Sequence, residues 1–435
     1  MNAAEATVAA ANSPVTTAQA AAQIAADRLR RRLIFVNRFF HPDVSATSQM
    51  LSDLVAGLGS ERFERHVVCS RQLYQDAGAR LAPEENWNAV AVHRCWSTRF
   101  GRARIFGRAL DYLTFYLSAT VEMLRRSRRG DVLVAMTDPP LISVCAALVA
   151  RLKGLVLINW LQDVFPEVST ALQINVPAAA TLSRWRNWSL RIARLNVVLG
   201  TRMEQRLLAL DVPADRVRIV NNWADGVAVT PRPTHGSSLR RTLGAEQQFI
   251  VQYSGNLGRA HDFLTLIAAA AGLRDEPGWL FLFVGGGVNM QRLQAEAARL
   301  KLTHVRFLPY QPRESLGDSL AAADVHLTCL LPEMEGLVVP SKFYGILAAG
   351  RPVIVIGDPD GEQARLVRTA DCGAVVRCGD GPRLIAALKA ARSDPEWVRA
   401  AGERARAAFD AHYDFQLALA RWREALHSAV QEAPI

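Results

Sequence analysis

The sequence predicts an α/β protein of two parallel-sheet domains that face each other across a cleft. Three observations predict it. The chain has 435 residues, half of them hydrophobic, which is ample for two buried cores and long for one. Short runs rich in Val, Ile, Leu and Phe alternate with longer helical patterns, the rhythm of a parallel sheet covered on both faces. That rhythm breaks once, over residues 226–245, where Pro231, Pro233, Gly236, Ser237 and Ser238 mark a linker, and then restarts.

Residues 1–30 are alanine-rich and lack a basic stretch followed by an apolar core, so they read as a tail and not as a secretory leader. The first domain, 31–225, has strand-like runs at Leu33–Val36, His66–Cys69, Asp131–Ala135, Leu155–Trp160 and Leu195–Leu199, and a helix over Ser48–Leu58. The second, 246–405, has them at Phe249–Ser254, Trp279–Val284, Val305–Leu308, Val325–Cys329, Val353–Ile356 and Ala374–Val376. Residues 406–435 read as a terminal helix crossing back to the first domain. In such an arrangement a ligand lies in the crevice at the carboxyl ends of the strands.

The formal net charge is +10, carried almost entirely by arginine. This favours polyanionic partners, but no nucleic-acid module is visible and nucleic acid is not expected. The six cysteines are scattered without a C-x-x-C pair, which argues against a zinc ribbon or a thioredoxin-like site and for reduced thiols in a cytosolic protein. The most apolar stretch, Pro139 to Ala150, is too short to span a bilayer and is bounded by Asp138 and Arg151. The chain is therefore expected in the cytoplasm, at most resting on a membrane face.

Three segments carry chemistry. Tyr253-Ser254-Gly255-Asn256-Leu257-Gly258-Arg259 follows a strand and precedes a helix. Its glycines let a backbone approach a ligand, the helix start offers N–H groups to an anion, and Arg259 adds a forked cation. Val284-Gly285-Gly286-Gly287 ends another strand, and a glycine run there permits either close approach or simply a turn. Pro340-Ser341-Lys342 starts a helix with Ser341 as cap. Lys342 in the first turn opposes the helix dipole, a conflict that an anion such as a diphosphate resolves. Asp358-Pro359-Asp360, set between Gly357 and Gly361, reads as a turn; no metal is assigned to it.

With Phe307–Pro312, Ala323-Asp324-Val325 and Pro340–Val353, these segments resemble, in order, the carboxyl half of glycosyltransferase family four. Phe39-Phe40-His41-Pro42, Thr137-Asp138-Pro139-Pro140, Trp160 to Glu167 and Asn221 to Asp225 resemble its branch that builds colanic acid, O-antigen and other bacterial surface polysaccharides. The resemblance implies a GT-B fold of two Rossmann-like domains and a retaining, metal-independent transferase without cofactor. Its donor would be a nucleotide diphosphate-sugar and its acceptor a saccharide, with a polyprenyl diphosphate-linked one in view.

Carried over by position, Arg259 and Lys342 would serve as catalytic cations at the diphosphate. Gly255, Asn256, Gly286 and Ser341 would line the donor, Tyr310 would meet the base, and the backbone of Glu335, Gly336, Leu337 and Val338 the sugar. Ser45, Thr47, Asp138 and Asp163 would lie on the acceptor side. The chain departs from the family pattern where Leu337 and Gly345 replace a pair of glutamates, where Gln162 replaces a histidine before Asp163, and where Ser45 to Ser48 replaces a glycine-rich loop. An epimerase on the same fold and an inactive nucleotide-sugar-binding subunit are the alternatives.

Between Ser97 and Gly130 eight arginines (99, 102, 104, 108, 125, 126, 128, 129) stand against Asp111 and Glu122. Leu110, Tyr112, Leu113, Phe115, Tyr116 and Leu117 lie between the two arginine clusters. This pattern fits either a helix lying on an anionic membrane or a core helix with solvated arginines.

Overall fold

A computed structural model of the chain describes residues 31–431 apart from 61, 75, 77 and 101–104. The expected 1–30 tail, Arg102, Arg104 and the last four residues lie outside the described residues. Two sheets form the frame. The first is built from β1 (Arg31–Val36), β2 (Phe63–Ser70), β3 (Glu84–Trp87), β4 (Val90–Cys95), β5 (Val132–Ala135), β6 (Val156–Trp160), β7 (Leu195–Val198) and β8 (Val217–Ile219), in the order β3-β4-β2-β1-β5-β6-β7-β8. The second is built from β9 (Phe249–Asn256), β10 (Trp279–Gly286), β11 (Val305–Leu308), β12 (Val325–Cys329), β13 (Val353–Ile356) and β14 (Gly373–Val376), in the order β11-β10-β9-β12-β13-β14.

The direction of winding reverses between β1 and β5 in the first sheet and between β9 and β12 in the second. Connections leave such a point toward opposite faces, so it opens a crevice beyond the carboxyl ends of the strands. The residues just after β1, β5 and β9 therefore occupy the two positions where this fold places ligands.

The first sheet is not wholly parallel. β3 runs antiparallel to β4 at the edge, joined through Asn88 and Ala89 at φ 50° and 59°, a two-residue hairpin turn. The sequence hides it because β3 (Glu-Glu-Asn-Trp) is largely exposed and its turn has no Asn-Gly signature. The linker is also more structured than its composition implies. Within it, helix α7 (Ser238–Thr242) docks on the second domain, its Ser238 and Leu239 N–H groups donating to Asp318 at 3.0 and 3.1 Å, while Arg240 pairs with Asp324.

Helix α15 (Phe415–Gln431) packs on the first sheet, with Ala418, Leu419, Trp422, Ala425 and Leu426 in the same core as Leu33, Phe35 and Val134. Trp422 meets Trp160 edge-on at 4.8 Å, and Trp160 stacks on Trp223. Its apolar spacing follows the helical period, so one face buries against the sheet.

Helices α2 (Ile105–Arg126), α3 (Ile142–Lys153) and α5 (Ala179–Ile192) cover the other face of this sheet. Phe115, Ala119 and Met123 of α2 point inward and are fully buried. Phe106, Leu110, Leu113, Leu117 and Val121 form a second apolar stripe at helical spacing that faces solvent, with Phe106 90% and Leu117 62% exposed. Leu148 and Leu152 of α3 and Trp185 of α5 are exposed as well. No described helix is long and apolar enough to cross a membrane.

Candidate active site

The site grows from the two adjacent strands β9 and β10, paired so that Gly285 lies opposite Gly255 and Gly286 opposite Asn256. Both turns need glycine. Gly255 and Gly285 stand at φ 123° and 125°, a region that side chains rarely adopt. A Cβ on Gly285 would fall 2.3 Å from the Gly255 carbonyl oxygen, and one on Gly287 2.5 Å from the Asn256 and Leu257 oxygens. Asn289 ties the following loop: its buried amide donates to the carbonyls of Gly258 and His261 at 3.1 and 2.9 Å.

Lys342, at the start of α11 (Lys342–Ala348), reaches back to this turn. Its Nζ donates to the Asn256 carbonyl at 3.0 Å, to the Tyr253 hydroxyl, and to His261 Nε2 at 3.4 Å, and lies 4.3 Å above the Tyr253 ring. All these partners are neutral. No carboxylate among the described residues pairs with it. Burial therefore lowers the ammonium from 10.5 to about 8. Burial and then the Lys342 charge hold His261 down at about 3. Its ring is neutral, with Nε2 accepting from Lys342 and Nδ1–H directed to the Gly258 carbonyl at 3.3 Å. Tyr253 stays protonated for the same reason, burial, and donates to the Asn256 oxygen at 3.1 Å.

Arg259 lies in the same loop, exposed to solvent and without an ion-pair partner among the described residues. Tyr310 stands beside Gly286, where a Cβ would come within 3.2 Å of its ring. Thus Gly255, Asn256, Gly286, Lys342 and Tyr310 share one end of the second sheet.

Amides at the starts of both following helices bond within the chain. The first amides of α8 (Leu264–Gly272) are capped by the chain itself, because Asp262 Oδ1 accepts from Leu264 and Thr265 at 2.9 and 3.3 Å. Ser341 occupies the cap position of α11 without a side-chain bond, and the Phe343 and Tyr344 N–H groups fold back on Pro340 and Ser341. An aspartate, Asp262, two residues before the first helical residue Leu264 was the readable signal for the first of these.

The segment Glu335–Val338 joins the two domains. The Glu335 carbonyl accepts from Arg206 at 3.1 Å, and the Leu337 carbonyl accepts from the Val164 N–H at 3.0 Å beside an antiparallel bridge between Asp163 and Val338. Gly336, at φ 72°, lies so close to Arg202 that a Cβ would meet its carbonyl at 2.9 Å. The N–H groups of Glu335, Leu337 and Val338 bond to Pro332 and Met334, so three of the four amides of the segment expected at a sugar are engaged within the protein. The Glu335 carboxylate accepts from the Glu362 N–H at 3.2 Å and is raised by burial. Glu362 in turn holds Thr201 and the Arg202 N–H across the cleft at 3.1 and 3.3 Å. Asp358 accepts from the Asp360 N–H at 2.9 Å, which is the turn expected there.

On the opposite wall, Asp138 and Asp163 come together after β5 and β6. Asp163 is half-buried, its buried Oδ1 has no hydrogen-bond partner among the described residues, and desolvation with the nearby Asp138 charge raises it to about 7. Asp163 sits at a cleft that Thr137, Asn159, Phe165 and Arg186 also line. Ser45 and Thr47 lie at the start of α1 (Ala46–Gly57). The Ser45 N–H donates to Asp43 at 2.8 Å, and the Thr47 hydroxyl accepts from Asn37 at 3.4 Å.

Comparison with known proteins agrees with this architecture. Residues 45–223 match the glycosyl transferase 4-like domain and residues 238–408 the model for glycosyl transferases group 1. The chain is 26% identical to the probable glycosyltransferase WbjE of Pseudomonas aeruginosa over 63% of its own length and 69% of that protein. It is 23% identical to the putative colanic acid biosynthesis glycosyl transferase WcaI of Escherichia coli over 76% and 84%. Among solved structures it superposes on HepE of Anabaena, a complex with UDP and glucose, with a TM-score of 0.69 at 18% identity, covering 92% of this chain and 100% of that one. The two matched domains account for most of the chain, the sheets are those of the GT-B fold, and the protein belongs to glycosyltransferase family four, related to the colanic acid branch.

Proposed function

We propose that this chain moves a sugar, with retained anomeric configuration and without a bound metal, from a nucleotide diphosphate-sugar to a polyprenyl diphosphate-linked saccharide in the assembly of a bacterial surface polysaccharide. The observation that carries this reading is Lys342: a half-buried ammonium held only by neutral groups above the Gly255 turn. A cation partly removed from water without a counter-charge is unfavourable, and a diphosphate beside the turn supplies that counter-charge. Arg259 is the second cation from the same loop. As the sugar–oxygen bond breaks, its electron pair passes to the diphosphate. Lys342 and Arg259 stabilise that charge, while the acceptor hydroxyl closes on the sugar and gives its proton to the leaving phosphate oxygen. HepE, crystallised with UDP and glucose on the same fold, supports a nucleotide-sugar donor.

The exposed stripe on α2, flanked by Arg108, Arg125 and Arg128, supports docking on an anionic membrane face, where such an acceptor is anchored. The test is transfer from a labelled nucleotide sugar in excess EDTA, with and without a lipid-linked acceptor. Acceptor-dependent product that survives the chelator supports the reading. Product without acceptor, or complete loss restored by a divalent metal, contradicts it.

A further inference from the structure

Five arginines are buried in the described residues: Arg38, Arg65, Arg94, Arg186 and Arg240. Four are compensated. Arg94 pairs with Glu85, Arg186 with Glu167 and Arg240 with Asp324, and Arg65 donates to main-chain carbonyls of Val55, Ala56, Asn88 and Ala89. Arg38 is not. Only 6% exposed, it makes a single side-chain hydrogen bond among the described residues, from Nη2 to Gln72 Oε1 at 3.3 Å, and its buried Nε has no partner. No carboxylate among the described residues pairs with it.

Asp111 and Asp43 are turned to other groups. Asp111 accepts from the Thr98 hydroxyl and the Phe100 N–H at 2.7 and 3.0 Å. Asp43 accepts from the Ser45 and Tyr74 N–H groups. What surrounds the guanidinium instead is aromatic: its central carbon lies 5.2 Å from the Phe39 ring centre and 5.0 Å from that of Tyr112. The surroundings are also fixed. Gln72 Nε2 donates to Ser97 Oγ and the Thr98 carbonyl at 3.1 and 2.7 Å, which leaves its Oε1 facing Arg38. The Arg38 N–H donates to the Asp138 carbonyl at 2.6 Å.

Arg38 follows β1, Gln72 follows β2, Thr98 follows β4 and Asp138 follows β5. The group therefore stands at the reversal point of the first sheet, across from the donor turn. A charge removed from water without a counter-charge is unfavourable, and a forked guanidinium matches two phosphate oxygens.

Resting on the donor reading above, we propose that Arg38 binds the phosphate or diphosphate of the acceptor's lipid carrier. Tyr112 supplies the geometric reason for that choice over a free anion. It sits on α2, whose outer side carries the exposed stripe from Phe106 to Val121. A helix is about 10 Å across, so a phosphate on Arg38 leaves a prenyl chain within reach of that stripe.

The experiment is calorimetric titration of the full chain with geranyl diphosphate, in a Lys342→Ala background that weakens the donor site. Arg38→Gln added to that background lowers the affinity roughly tenfold or more, the effect of losing a charge-assisted contact, and Arg38→Lys falls between. Inorganic pyrophosphate in a parallel arm separates headgroup from tail: it binds more weakly than geranyl diphosphate, and its binding also depends on Arg38. A free-anion site, by contrast, takes pyrophosphate as tightly as the prenyl compound, and that equality overturns the lipid assignment. The proposal is also overturned if geranyl diphosphate does not bind, or if Arg38→Gln lowers the unfolding midpoint while leaving the affinity unchanged. A third arm keeps the donor reading separate. UDP, GDP or TDP protects the otherwise wild-type Arg38→Gln protein from unfolding as well as it protects the parent, and absence of protection in the parent counts against the donor reading alone.

Discussion

The Lys342 ammonium stands 3.0 Å from the main-chain oxygen of Asn256, at the end of the neighbouring β9. One contact thereby joins the first turn of a helix to the glycine turn of a strand 86 residues earlier. Both groups are held by neutral neighbours, and no carboxylate among the described residues pairs with the ammonium.

The pH dependence of donor binding follows from that contact. Burial lowers Lys342 from 10.5 to about 8, and a bound diphosphate raises it again. Binding therefore takes up a proton above pH 8, so affinity is full below about pH 8 and falls as the pH rises through it. Stability runs the other way. Between about 8 and 10.5 the unfolded chain holds more protons at this residue than the folded one, so its destabilising effect is present below pH 8 and fades above. Donor kcat/KM measured from pH 6.5 to 9.5 falls in the wild type and stays level in Lys342→Arg. A wild-type profile as flat as that of the arginine variant contradicts the assignment.

Gly285→Ala tests the turn without touching a charge. The residue sits at φ 125° with the Gly255 oxygen 2.3 Å from the new methyl group. Strain of this kind costs on the order of 1–3 kcal/mol, and either the strand ends part or the Gly255 turn shifts. The expected result is a lower unfolding midpoint together with weaker donor binding. A variant with parental stability and parental KM shows that the two turns are not packed as described.

Strands with continuous apolar runs, such as Leu33–Val36 and Val353–Ile356, were legible because parallel sheets bury both faces. β3 was not, being an exposed edge strand with an Asn-Ala turn. The glycine turn at Gly255 and the placing of Lys342 in the first turn of a helix were legible in the sequence. Its supports were not: Tyr253, His261 and Asn289 act through contacts between distant parts of the chain, and nothing in their local sequence marks them. Arg38 was likewise hidden, since an arginine after a strand looks the same whether or not a carboxylate later folds against it.

Vesicle binding tests the α2 face. Each arginine near an anionic surface contributes about 1 kcal/mol, and the exposed Leu113 and Leu117 add apolar contact. Leu113→Asn with Leu117→Asn, and separately Arg108→Gln, should lower co-sedimentation with phosphatidylglycerol vesicles. Wild-type binding should weaken at 1 M salt, where the screening length is about 3 Å. Use of a soluble acceptor analogue should remain. Unchanged sedimentation in the double leucine variant marks the stripe as ordinary surface.

The most direct test of the central claim is thermal unfolding with a panel of nucleotide diphosphate-sugars, on the wild type, Lys342→Ala and Arg259→Ala. A ligand that binds only the folded chain raises the midpoint by mass action, and a lost charge-assisted contact costs about 1.5–3 kcal/mol. The account predicts that at least one nucleotide sugar stabilises the wild type, that Lys342→Ala abolishes the shift at the same ligand concentration and that Arg259→Ala reduces it, with all three proteins folded. A panel that stabilises none of them, or one that stabilises Lys342→Ala as much as the wild type, contradicts it.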